Sequence, residues 1–76
     1  MDVKLFINGK EESKFESKMD SGNLNLYIDK FYNAEQVTKV EVKLHADEVI
    51  PKKVYVCFNV NNLPVLILPT KIIYEN

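Results

Sequence analysis

Charged residues occupy every even position from Lys10 to Asp20: Lys10, Glu12, Lys14, Glu16, Lys18 and Asp20. From residue 13 on, the odd positions between them hold Ser13, Phe15, Ser17 and Met19. A helix of about 3.6 residues per turn would scatter these charges around its barrel. A strand alternates its side chains and sets them all on one solvated face. This stretch therefore predicts β-structure, and the same period of two runs through most of the chain.

Val3, Leu5 and Ile7 alternate with Asp2, Lys4 and Phe6, and Asn8-Gly9 then signals a turn. A two-residue loop there would set Leu5 opposite Glu12 and mix the apolar and charged faces. A three-residue loop ending in Gly9 pairs Leu5 with Glu11 and Val3 with Ser13. It also opposes Lys4 to Glu12 and Asp2 to Lys14, so this is the expected register. Asp20-Ser21-Gly22-Asn23 is the next turn. A four-residue loop there pairs Met19 with Leu24 and Phe15 with Ile28 and makes both apolar faces coincide, so the first three strands read as a meander. Asn33 followed by Gln36 resembles a helix start and predicts a single helical turn near residues 33–37. Val40, Val42 and Leu44 resume the alternation, and Ala46 to Lys53 reads as a loop. Val54, Val56, Phe58 and Val60 form a further inward face. A two-residue turn at Asn61-Asn62 pairs Val60 with Leu63, Phe58 with Val65 and Val56 with Ile67. A last strand is expected around Thr70 to Tyr74. The predicted fold is mainly β: a single domain over residues 1–76, an antiparallel meander of about six strands in a curled sheet or small barrel, with one short helix.

Composition narrows the function. The chain has 76 residues, 46% of them apolar and 11% aromatic, which suits one small globular domain and not a disordered one. Its formal net charge is −1, and all ten basic residues are lysine. No long-range field draws it to nucleic acid or an anionic membrane, and no arginine fork is present to read guanine edges. Cys57 is the only cysteine, so no intrachain disulfide can form. Met1 to Ile7 has interspersed charges and no apolar h-region, and the apolar run Leu63 to Pro69 is too short to span a bilayer. The expectation is a cytoplasmic protein with no membrane partner.

Catalytic patterns are missing. The two glycines, Gly9 and Gly22, both sit in turns, so no phosphate-cradling loop exists. His45 is the only histidine, and its parity places it with Lys39, Glu41 and Lys43 on a solvent side. A Cys57–His45 pair would lack a third, orienting residue. Ser13, Ser17 and Ser21 occupy the charged strand and its turn, not a strained nucleophile elbow. His45, Asp47 and Glu48 make a weak set of metal ligands. Glu11-Glu12 lies beside a turn and is expected to be fully wet, without the apolar pocket that paired carboxylates need for acid–base work. No enzyme, cofactor or metal is expected.

Binding is what remains. The C-terminal hairpin has an inward face of Val54, Val56, Phe58, Val65 and Ile67, and its other face carries Tyr55, Cys57, Leu66 and Leu68. Either the hairpin is central and covered on both sides, or its second face is exposed for a partner. The principal expectation is a non-enzymatic domain that docks onto another protein through Tyr55, Cys57, Leu66 and Leu68 and modulates or inhibits it. Abundant lysine, asparagine and isoleucine without arginine, in so small a chain, is similar to the composition of bacteriophage accessory proteins from AT-rich hosts, though no residue motif carries that likeness. It implies a phage or mobile-element factor acting on a host system. The second expectation is a nucleic-acid-binding barrel that uses Tyr27, Tyr55, Lys39 and Lys43. The third is a self-assembling structural subunit, in its simplest form a homodimer.

Overall fold

The structure, a computed structural model, describes residues 2–45 and 50–75. The described chain is mainly β, with eight strands: β1 (Asp2–Ile7), β2 (Lys10–Glu12), β3 (Phe15–Asp20), β4 (Asn23–Tyr32), β5 (Val40–His45), β6 (Lys53–Val60), β7 (Leu63–Ile67) and β8 (Lys71–Glu75). A 3-10 turn at Ala34–Gln36 is the short helix foreseen near residues 33–37. Asn33 precedes it but makes no side-chain cap; its carbonyl accepts from the Gln36 N–H at 3.0 Å.

The strands form two four-stranded sheets, in the order β2-β1-β5-β8 and β3-β4-β6-β7. Among the described residues each sheet keeps two free edges, so the architecture is a sandwich and not a closed barrel. One core lies between the sheets. The first contributes Leu5, Ile7, Val40, Val42 and Leu44; the second contributes Leu24, Leu26, Ile28, Val54, Val56 and Phe58. Among the described residues no polar or charged side chain is buried there.

The sheets are mixed, which departs from the expected antiparallel meander. β4 runs parallel to β6, and β5 runs parallel to β8. Parallel neighbours need a crossover. Here a strand of the opposite sheet supplies it: the chain passes through β5 between β4 and β6, and through β6 and β7 between β5 and β8. The predicted Lys10–Asp20 strand is likewise split. Ser13 and Lys14 carry it from the first sheet into the second.

The turns follow from left-handed backbone. Asn8 and Gly9 have φ of 52° and 82°, Ser21 and Gly22 have 52° and 84°, and Asn61 and Asn62 have 50° and 68°. Two consecutive positive φ values define the two-residue hairpin turn whose twist matches the flanking strands. The β3–β4 and β6–β7 hairpins take the expected registers, with Met19 opposite Leu24, Phe15 opposite Ile28 and Phe58 opposite Val65. The first hairpin does not. Its loop is two residues long, and Leu5 faces Glu12. Glu12 consequently turns toward the core side, with a side chain only 14% exposed. Its carboxylate accepts from the Tyr32 hydroxyl at 3.0 Å and lies 3.8 Å from the Lys30 ammonium. The Tyr32 hydroxyl and the Lys30 ammonium offset the solvation this carboxylate gives up, so the turn chemistry decides the register.

Candidate functional site

The exposed face of the second sheet is built by strand alternation. Leu24, Leu26 and Ile28 point inward along β4, which leaves Asn25, Tyr27 and Asp29 outside. Val54, Val56 and Phe58 point inward along β6, which leaves Tyr55, Cys57 and Asn59 outside. Registers then align these residues into rows. Glu16, Tyr27, Cys57 and Leu66 form one row across all four strands. Lys18, Asn25 and Tyr55 form the next. Leu68, just past the end of β7, keeps the parity of Leu66. On the other side, Phe31, Asn59 and Pro64 share a row.

The face is therefore divided. Its β3 margin carries Glu16, Lys18 and Asp20, all exposed. The area over β4, β6 and β7 carries the aromatic and aliphatic side chains, with Asn25, Asp29 and Asn59 set among them. Relative exposures there are 44% for Tyr27, 67% for Phe31, 56% for Leu66 and 61% for Leu68, with Tyr55 and Cys57 half-buried between them. Contiguous exposed apolar surface on the order of a few hundred Å² is what interaction sites look like on a folded monomer. The hairpin is thus not central: β7 is an edge strand, and the second face of the hairpin is open.

All four residues expected at a protein interface, Tyr55, Cys57, Leu66 and Leu68, lie on this one face. Phe31 and Pro64 were not singled out, and Tyr27 was expected only in the nucleic-acid reading. Phe31 keeps the odd parity of Tyr27 along β4, so extending the alternation to the end of that strand would have found it. Between Tyr27 and Phe31 the β4–β6 pairing jumps, with three β4 residues set against Phe58 alone. The two extra residues preserve parity and so keep Phe31 outside.

The residues expected to bind nucleic acid do not assemble. Tyr27 and Tyr55 are neighbours on the outer face of the second sheet, whereas Lys43 is in β5 of the first sheet and Lys39 immediately precedes it. The Lys43 ammonium sits 5.4 Å from the Phe6 ring centroid, and Lys39 is 3.6 Å from Glu41. Lysines beside the tyrosine pair include Lys14, Lys18 and Lys53, with Glu16, Asp20 and Asp29 interspersed.

Polar groups also gather in clefts elsewhere on the surface. A cleft of about 500 Å³ at the β3–β4 margin is lined by Lys14, Phe15, Glu16, Tyr27, Ile28 and Asp29. It has charge but no hydroxyl, thiol or imidazole nucleophile of the Ser, Cys or His kind. The Glu12–Tyr32–Lys30 cluster opens on a second cleft, of about 390 Å³. Burial, then the hydrogen bond and negative charge of Glu12, push the Tyr32 phenol up to about 12. A phenol held neutral in this way acts as a donor to Glu12 and not as a base. The Tyr32 ring also meets Phe58 edge to face at 5.4 Å, which ties the cluster to the core. Of the weak metal set, Asp47 and Glu48 lie outside the described residues. Among the described residues no group of three or more His, Cys, Asp or Glu is placed to hold a metal ion. No described helix is long and apolar enough to cross a membrane.

Fold and site together define a class: a small mixed β-sandwich whose second sheet gathers Tyr27, Phe31, Tyr55, Leu66 and Leu68 on its outer face. No protein-family model, curated protein or solved structure matches the chain.

Proposed function

We propose that this chain is a non-enzymatic protein-binding domain that docks onto another protein through the outer face of β4, β6 and β7 and modulates or inhibits it. The observation that carries this reading is the concentration of Tyr27, Phe31, Tyr55, Cys57, Leu66 and Leu68 on one open face beside a charged margin. Aromatic and aliphatic anchors at the centre with a polar rim are the anatomy of a protein interface. The setting in keeping with the composition is the cytoplasm of a host, with the domain a phage or mobile-element accessory factor.

The test is a paired capture experiment with and without nuclease. The bait is the wild-type chain, the Tyr27→Lys/Phe31→Lys double variant, and a control altered on the opposite sheet, Lys4→Glu. The proposal requires one stoichiometric protein that survives nuclease, persists with the control and disappears with the double variant. Equal capture by wild type and double variant would refute it. The adjacency of Tyr27 and Tyr55 favours a second reading, in which bases stack on the two rings. That reading requires recovery of nucleic acid and binding that weakens steeply with salt.

A further inference from the structure

We infer that β7 pairs antiparallel with β7 of a second copy of this chain, across a two-fold axis at Leu66. The inference concerns the backbone edge of β7, whereas the docking proposal concerns the outer face on which the Leu66 side chain also lies. β7 has β6 on one side, and among the described residues no strand lies on the other. The Asn61-Asn62 turn fixes which backbone groups face that open side. Residues flanking a two-residue turn form a hydrogen-bonded pair, and such pairs alternate along an antiparallel ladder with non-bonded ones. Val60–Leu63, Phe58–Val65 and Val56–Ile67 are therefore the bonded pairs, whereas Pro64 and Leu66 direct their backbone outward. Pro64 fits this assignment, since a residue without an N–H belongs at an outward edge position.

A symmetric register can centre on an outward residue or on the inward residue beside it. An axis at Val65 would set each Leu66 against a Pro64 that has no N–H, and an axis at Ile67 would bring Pro64 against Thr70, which is bonded to Val40. A two-fold axis at Pro64 would oppose two residues that have no N–H. An axis at Leu68 would bring Leu66 against Thr70, which is already engaged: its N–H donates to the Val40 carbonyl at 2.8 Å, and its hydroxyl both donates to that carbonyl and accepts from the Val40 N–H. With the axis at Leu66, the two Leu66 backbones exchange both hydrogen bonds, and each Leu68 N–H meets a Pro64 carbonyl. The strand also opposes itself without penalty. Residues 61–70 contain no ionisable side chain, so self-pairing juxtaposes no like charges. The other edges differ: β2 is only three residues long, and β2, β3 and β8 all carry ionised side chains. In the dimer the second sheets join into one, with Leu66 against Leu66 at its centre and both apolar outer faces on the same side.

Sedimentation equilibrium of the full chain tests this, together with amide hydrogen exchange. Wild type is expected near twice the 8.8 kDa chain mass, with the Leu66 and Leu68 amides increasingly protected as concentration rises. Leu66→Pro removes only an outward donor, as Pro64 already does, and is expected to weaken the dimer roughly 30-fold or more through two lost backbone bonds. If that variant loses its β circular dichroism, Leu66→Lys decides instead, because it sets two ammonium groups face to face at the axis. A wild type that stays at the chain mass up to about 1 mM overturns the inference. So does a folded Leu66→Pro or Leu66→Lys variant that dimerises as wild type does. Tyr27 and Phe31 lie off β7, so failure of the docking proposal leaves this result unaffected.

Discussion

Asn8 is the residue whose loss should separate turn geometry from side-chain bonding. It opens the first hairpin turn at φ 52°. Its side-chain oxygen accepts from the Thr38 N–H at 2.9 Å, the Lys39 N–H at 3.1 Å and the Thr38 hydroxyl at 3.2 Å, and its amide nitrogen donates to the Gln36 carbonyl. One side chain thus holds the segment that leads from the 3-10 turn into β5. The bonds are exposed, so each sits at the low end of roughly 0.5–1.5 kcal/mol, or about 2 kcal/mol for the set. Asn8→Gly keeps the left-handed backbone and loses the bonds, and its looser unfolded chain adds a fraction more, for about 2–3 kcal/mol in all. Asn8→Ala adds the left-handed penalty and should cost about 3–4 kcal/mol. Asn8→Asp retains the three acceptor contacts and loses only the donor, so about 1 kcal/mol is expected. A domain of this length has a total stability of roughly 4–11 kcal/mol, so the alanine variant should be near its limit. Its melting temperature should fall by roughly 15–25 °C. Urea unfolding followed by circular dichroism measures all three, with the slope held constant as the check on two-state behaviour. An Asn8→Ala stability within about 0.5 kcal/mol of wild type would show that the hub is ornamental. An Asn8→Gly variant no more stable than Asn8→Ala would refute the backbone half of the reasoning.

Three further outcomes are expected. Tyr32 has a folded-state pKa raised from 10.0 to about 12, so its contribution is fully present below pH 10 and is lost as pH rises toward 12; the stability gap between wild type and Tyr32→Phe should close over that window, and tyrosinate absorbance should assign the most alkaline transition to Tyr32. Leu26→Ala removes a fully buried side chain from the middle of β4 and should destabilise by roughly 2–5 kcal/mol in urea titration, whereas Leu68→Lys on the open face should change stability by less than about 0.5 kcal/mol; unfolding of the Leu68 variant would place that residue in the core. Gly22→Ala should cost about 1–2 kcal/mol, because Gly22 holds φ 84° while the only crowding is the flexible Lys52 side chain, 3.3 Å from the added carbon.

What was legible in the sequence was local. The Ser21-Gly22 and Asn61-Asn62 hairpins could be registered because matching apolar faces and turn residues agreed. The face that carries Tyr55, Cys57, Leu66 and Leu68 followed from alternation alone. The first hairpin misled because Glu12 reads as a solvent charge. Its partners, Tyr32 and Lys30, come within reach only when β4 folds back across the sandwich. Alternation also fails to say which strands are parallel. A β4–β6 pair and a β4–β3 pair make the same demand on side-chain parity. Lys39 and Lys43 looked close to Tyr27 for this reason: period two assigns a face to each strand but not a sheet.

The interleaved path through the two sheets has a consequence in time. Three hairpins are closed by two-residue turns and can form on a scale of roughly 1–10 μs. No parallel pair can form before strands of both sheets are in place, since β4 reaches β6, and β5 reaches β8, only by way of the opposite layer. Loop closure over such separations sets folding rates of β-sandwiches on a scale of milliseconds to seconds. The chain therefore spends most of its folding time as preformed hairpins searching for one another. Alterations to the turns should register in how fast it folds, and alterations to β8 in how fast it comes apart.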